Sequence, residues 1–191
     1  VDATPPSLSV TCPSSVLLNG KASATVTASD GQSGLASDPS GSVSVNTATV
    51  GAKTTTRTAT DNVGHGTTRS CTTVVGYAFS GILQPVNPDG SSIFKLGSTV
   101  PVKFGLTDSS GVVQPAAVAN LTVAKVTNEI DGTYVEATST SAATTGTLFR
   151  YDPSGQQYIF NLGTKELSKG TWSLKVTLDD GNSYVQRISL K

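Results

Sequence analysis

The chain has no methionine, one histidine, one tryptophan and only two cysteines in 191 residues. Charged residues make up 14% of it and aromatics 6%. Each scarcity excludes something. The single histidine, His65, sits in a glycine-flanked turn with no serine or cysteine motif around it, so no nucleophile–base pair can be read. There is no G-x-S-x-G elbow, no H-E-x-x-H and no glycine-rich phosphate loop leading into a helix. Glu129, Glu136 and Glu166 lie in polar or turn-like contexts, and catalysis is not expected. Formal net charge is zero, and each half balances separately. Up to Tyr77 there are four acids (Asp2, Asp30, Asp38, Asp61) and four bases (Lys21, Lys53, Arg57, Arg69), which leaves 13 − 4 = 9 of each sign beyond it. Without a basic face, nucleic acid is not an expected partner. No apolar run approaches transmembrane length, so membrane insertion is not expected either. No long window repeats apolar residues at helical spacing, so helix should be nearly absent.

What the chain has is hydroxyl groups: 25 Ser and 28 Thr. Thr and Val favour strands, and 19 Gly and 9 Pro supply turns. Regular alternation of apolar and polar residues argues against the disorder that such a composition would otherwise suggest. Low lysine content and two widely spaced cysteines point to a secreted protein with one disulfide, with two reduced thiols as the alternative. A start at Val1 without methionine suggests a chain processed or excised from something longer.

The first half reads as short strands. Residues 7–11 form the first, ending beside Cys12. Residues 16–29 form a hairpin about Asn19-Gly20, the strongest short turn signal. A loop at 30–34 precedes short strands at 35–37, 42–46 and 47–50. A strand at 54–60 with Arg57 outward then leads through a tight turn at 61–66 into a closing strand at 67–75, which carries Cys71. About seven short strands in some 76 residues describe a small immunoglobulin-like sandwich.

The stretches DATPPSLSVTC, VTASDGQSGL and TATDNVGHGTTRSCTTVV resemble hyalin-repeat and related bacterial immunoglobulin-like domains over about residues 2–76. There a D-x-TPP opening, a VTA-x-D-x-x-SG loop and a TATDNAGN-like turn recur, and His65 replaces the usual Asn. In such topologies the first and last strands are neighbours, which predicts a Cys12–Cys71 disulfide. The start of the first strand, the second-to-third-strand loop and the last hairpin turn also share one end. That would gather Asp2, Asp30, Asp61 and Asn62, whose oxygens suit calcium. A reading in which these residues are turn formers and nothing more stands beside it.

Residues 77–90, with Tyr77, Phe79, Pro85 and Pro88, read as a short, partly packed junction. The second half is organised around 97–106, GSTVPVKFGL. Val100, Val102, Phe104 and Leu106 alternate there with Pro101, Lys103 and Gly105, placing four apolar side chains on one strand face. Pro101 cannot donate to a ladder, so that strand is expected to be at an edge there or to begin near it. A strand at 120–128 follows, then a turn at Asp131-Gly132. Later come strands at 148–151 and 158–161, and a final hairpin with Trp172, Leu174, Val176 and Leu178 inward. Phe94–Leu106 and Leu148–Lys191 resemble the PxKF domain of secreted actinobacterial proteins, a likeness covering about residues 79–191. It implies a β-sandwich near the C-terminus of a larger secreted protein. The cysteine pair of some members is absent here.

The sequence thus predicts an all-β chain of two tandem immunoglobulin-like sandwiches, 1–76 and 91–191, joined by 77–90. The expected role is a non-catalytic accessory region of a secreted, extracellular multidomain protein: a spacer, stabiliser or docking module beside an upstream domain of the same polypeptide. Two other readings are a carbohydrate- or cell-wall-binding module, with a polysaccharide or cell-wall surface as partner, and an adhesin-type stalk. Against the first of these, sugar modules stack rings on exposed aromatics, and this chain has few to offer.

Overall fold

The computed structural model describes residues 2–191, which form strands and turns and no helix. It divides into two compact units, the first ending at Tyr77 and the second spanning Ala78–Lys191.

The first unit has seven strands: β1 (Ser7–Thr11), β2 (Ser15–Leu17), β3 (Ser23–Ser29), β4 (Leu35–Ser37), β5 (Gly41–Ser44), β6 (Gly51–Asp61) and β7 (Gly66–Gly76). They make two sheets, ordered β1-β3-β5 and β2-β7-β6-β4. This is an immunoglobulin-like sandwich. The period-two pattern sets the register. In β3, Ala24 and Val26 are buried while Ser23, Thr25, Thr27 and Ser29 are exposed. Its buried hydrophobic residues include Leu8, Leu18, Ala24, Val26, Val45, Ala59, Val75 and Tyr77, and Val10, Ala28, Leu35 and Val43 pack half-buried against the cluster of Leu8, Val26 and Ala59. Cys12 and Cys71 form a disulfide with Cα atoms 5.7 Å apart.

Three local expectations change. The hairpin about Asn19-Gly20 does not form, because β2 pairs in parallel with β7 and β3 pairs with β1. The left-handed Asn19 (φ 60°) turns the chain from one sheet to the other. Residues 47–50 are not a strand; the Thr47 carbonyl accepts from Asn19 N instead. Arg57 shares strand parity with buried Ala59, so it lies on the interior side of β6, half-buried, while Thr54, Thr56 and Thr58 face out. Those threonines pair with Thr72, Ser70 and Thr68 across the strands at 3.3, 2.8 and 2.8 Å.

The second unit contains β8 (Ala78–Phe79), β9 (Ile93–Phe94), β10 (Thr99–Phe104), β11 (Leu106–Thr107), β12 (Ala119–Thr127), β13 (Ile130–Asp131), β14 (Val135–Glu136), β15 (Arg150–Asp152), β16 (Gln157–Gly163), β17 (Gly170–Leu178) and β18 (Ser183–Leu190). The larger sheet runs β13-β12-β17-β18-β9, with β14 also on β12, and a second runs β10-β16-β15. Val100, Val102, Phe104 and Leu106 are all buried, as are Leu121, Val123, Leu174 and Val176 of the larger sheet. Pro101 lies on β10, the terminal strand of its sheet.

The segment expected as a junction is built into the second unit from Ala78 onward. There β8 pairs with β11, Leu83 N donates to Lys103 O at 2.8 Å, and Val86 is fully buried. The two aromatics and the proline-rich run read as a connection in the sequence because single-strand pairs of two residues leave no periodicity to detect.

Candidate functional site

Three loops meet at one end of the first unit, and each is shaped by an Asp or Asn caught in its own turn. Asp61, at the end of β6, is buried. Its Oδ1 accepts from Val63 N (3.0 Å) and His65 N (2.8 Å), and its Oδ2 lies 2.8 Å from His65 Nδ1. Asp2 accepts from Thr4 N at 2.9 Å through Oδ1 and from Ser33 N at 3.1 Å through Oδ2. Asp30 Oδ1 accepts from Gln32 N (3.1 Å) and Gly34 N (2.8 Å). Asn62 points its amide nitrogen at Ser33 O, 2.7 Å away.

The four residues expected to converge do sit in these meeting loops, but the tightest group is a different set. One ligand-type atom each from Asp2, Asp61 and His65 lies within 4.8 Å of the others. Asp30 is outside that group, turned into its own loop, and Asn62 donates its amide to the Ser33 carbonyl and not to a member of the cluster. His65, read as a bare turn residue, is a member. The signal was the four-residue spacing in DNVGH, which lets one carboxylate cap the turn and reach the imidazole.

Electrostatics follow from these contacts. Burial pushes the Asp61 carboxyl up, but the His65 side chain and the N–H groups of His65, Val63 and Gly64 outweigh it, so the group titrates below its usual value. The Ser33 hydroxyl and the Thr4 and Ser33 N–H groups hold Asp2 low as well. The set does not fit calcium, which takes six to eight oxygens. All four oxygens of Asp2 and Asp61 already accept N–H donors, and the third member is a nitrogen. The cluster is a hydrogen-bonded clasp between loops. With both carboxyls depressed, the stability that they lend is complete above about pH 4 and lost as pH falls through their folded-state values. Calorimetry should show the first unit melting earlier below about pH 4, and calcium added after chelation should leave its melting temperature unchanged. A calcium-dependent rise would overturn the clasp reading.

A second polar network lies in the second unit. Asn128 and Glu129, both at positive φ (51° and 63°), form the tight turn between β12 and β13, three residues earlier than the sequence suggested. Arg187 donates to Glu129 Oε2 (2.7 Å) and Glu129 O (3.0 Å), which holds that left-handed glutamate in place. Asp131 accepts from the Tyr134 and Ser173 hydroxyls, each at 2.6 Å. Those two hydroxyls, with Arg187 behind them, keep the Asp131 carboxyl low. The Asp131, Tyr134, Ser173 and Arg187 side chains are thus bonded to one another, as expected of a structural network.

The aromatic residues form no platform. Trp172 is buried and donates Nε1 to Ser168 O at 2.8 Å. The Tyr158 hydroxyl donates to Gln114 O (2.7 Å) and accepts from Ala117 N (2.9 Å). Burial pushes its pKa up to about 12. Phe79 stacks on Tyr184 with ring centroids 3.8 Å apart. The exposed large hydrophobic side chains, such as Val63, Ile130 and Val185, are all aliphatic.

No protein-family model matches the chain, and no curated protein matches it. Among solved structures it is similar to domains 4 and 5 of the S-layer protein SbsC, at 15% identity over 98% of this chain and 99% of that one, with a TM-score of 0.33. It is also similar to extracellular cadherin domains 3–6 of protocadherin gamma B2, at 17% identity over 100% and 53%, with a TM-score of 0.34. A third is the Bacteroides ovatus mixed-linkage glucan utilization locus protein SGBP-B in complex with a heptasaccharide, at 15% identity over 98% and 48%, with a TM-score of 0.29. Likenesses at this level carry no argument about what the chain does. The class of the protein rests on its own sheets: an all-β chain of two tandem immunoglobulin-like sandwiches, in which no helix is long and apolar enough to cross a membrane.

Proposed function

We propose that this chain is a non-catalytic accessory region of a secreted multidomain protein, serving to space or dock neighbouring parts of the same polypeptide. The observation that carries the proposal is the path of the backbone through the first unit. The chain enters at Pro6, whose carbonyl accepts from Thr67 Oγ1 (2.6 Å) at the start of β7. It leaves at Gly76, the far end of that strand. Nine residues of paired strand separate the two points, roughly 30 Å. Entry and exit at opposite ends suit a unit strung in series, and the disulfide favours an oxidising, extracellular setting. The two clusters of ionisable groups are spent on holding loops, which supports the non-catalytic reading.

Glycan binding is the alternative that experiment can separate. Incubated with insoluble cellulose, chitin and peptidoglycan, the protein is expected to stay in the supernatant, because no aromatic side chain is among the fully exposed ones. Retention on any of these that a soluble oligosaccharide reverses would overturn the spacer reading.

A further inference from the structure

The two sheets of the first unit share an open side. In β6, residues 51–60 pair with β7, but on the other side β4 reaches only Thr60 and Asp61. The run from Gly51 to Ala59 therefore has no strand on that flank, among the described residues. Across the gap β5 is also unpaired on its outer side, since it bonds only β3. Between these edges lies a groove of about 560 Å³, whose lining includes Val43, Val45, Ala52, Lys53, Thr55 and Arg57. A free strand edge of this length presents a row of backbone donors and acceptors to any extended chain.

The side chains along the edge say which chain fits. Lys53 and Arg57 share the interior side of β6, four residues apart, roughly 13 Å along the strand. Lys53 Nζ has only Thr49 Oγ1 and Val50 O within reach, and Arg57 donates to Thr56 O. Neither is in a salt bridge among the described residues. Arg57 also stands directly opposite Arg69 on β7, a like-charge cross-strand pair that a nearby carboxylate would relieve. A second copy of this chain is a poor occupant, because antiparallel self-pairing centred on Thr55 sets Lys53 against Arg57. The same two cations that repel a copy attract an acidic strand.

We propose that the free edge of β6 is a strand-addition site for an extended acidic segment of a partner polypeptide, with carboxylates four residues apart meeting Lys53 and Arg57 and small apolar residues between them filling the groove beside Val43 and Val45. The test uses the full chain and two synthetic seven-residue peptides of alternating Thr and Val, one with glutamates at the second and sixth positions and the other with lysines there. The glutamate peptide is expected to slow amide hydrogen exchange on alternate residues within 52–58, and the lysine peptide is not. In the Lys53→Glu/Arg57→Glu variant the preference should reverse, with at least about a tenfold loss for the glutamate peptide. Should that variant fail to fold, the comparison of the two peptides on the unaltered chain decides. Equal binding of both peptides, binding of neither, or protection elsewhere would overturn the proposal. Concentration-dependent protection of 52–58 without peptide would assign the edge to a second copy and overturn it as well.

Discussion

Reduction of the Cys12–Cys71 bond is expected to unfold the first unit at temperatures where the second remains intact. The bond spans 59 residues of sequence and joins the end of the first strand to the last. On the chain-entropy account, closing a loop of that size removes roughly 4 kcal/mol of freedom from the unfolded chain. A domain below 80 residues has a total stability of only about 5–10 kcal/mol. This one has mostly small apolar side chains to draw on, among them Ala24, Val26, Val45, Ala59 and Val75, with no buried Phe, Ile or Trp among the described residues. On the interior side of β6, Lys53, Thr55 and Arg57 contribute little apolar burial. Calorimetry with and without reductant, and of the Cys12→Ser/Cys71→Ser variant, should show one transition falling sharply while the other stays in place. Equal shifts in both transitions, or none, would contradict this division of stability.

Replacing Phe104 by alanine is expected to do the converse. Phe104 is fully buried at the centre of the second unit, with ring centroids 5.2 Å from Phe79, 4.8 Å from Phe149 and 5.2 Å from Tyr158. Large-to-small changes at such sites cost about 3–5 kcal/mol, the removed contacts plus the cavity left behind. Edge-to-face and stacked partners add to the loss. For a unit of this size the melting temperature should fall by more than about 10 °C. Hydrogen exchange in β6 and β7 should be unchanged, because the core of the first unit has its own residues. A loss below 1 kcal/mol would mean that the aromatic cluster repacks, and loss of protection in both units would mean that they melt as one.

Alternation in the amino-acid sequence was enough to determine the all-β class, the strand about Phe104 and the inward face of the last hairpin, while the pairing of the two cysteines followed from the strand order of an immunoglobulin-like sandwich. The first three depend on a periodicity of two, a property of local order, and the last on the topology that many short alternating strands imply. What tertiary structure alone decided is where short segments go. The Asn19-Gly20 turn is a strong hairpin signal, yet β2 crosses to the other sheet because an edge of β7 was available to it. Residues 78–90 lack any periodicity, and their place in the second unit comes from bonds to Gly105 and Lys103 many residues away. The loop cluster divides in the same way. Asp2, Asp30, Asp61 and Asn62 were legible as one end of a sandwich. That His65 belongs among them, and that every carboxylate oxygen of Asp2 and Asp61 already accepts an N–H, depends on distances of 2.8–3.1 Å between loops up to 31 residues apart. No spacing rule in the chain carries that information, because it is set by how the two sheets bring their loops together.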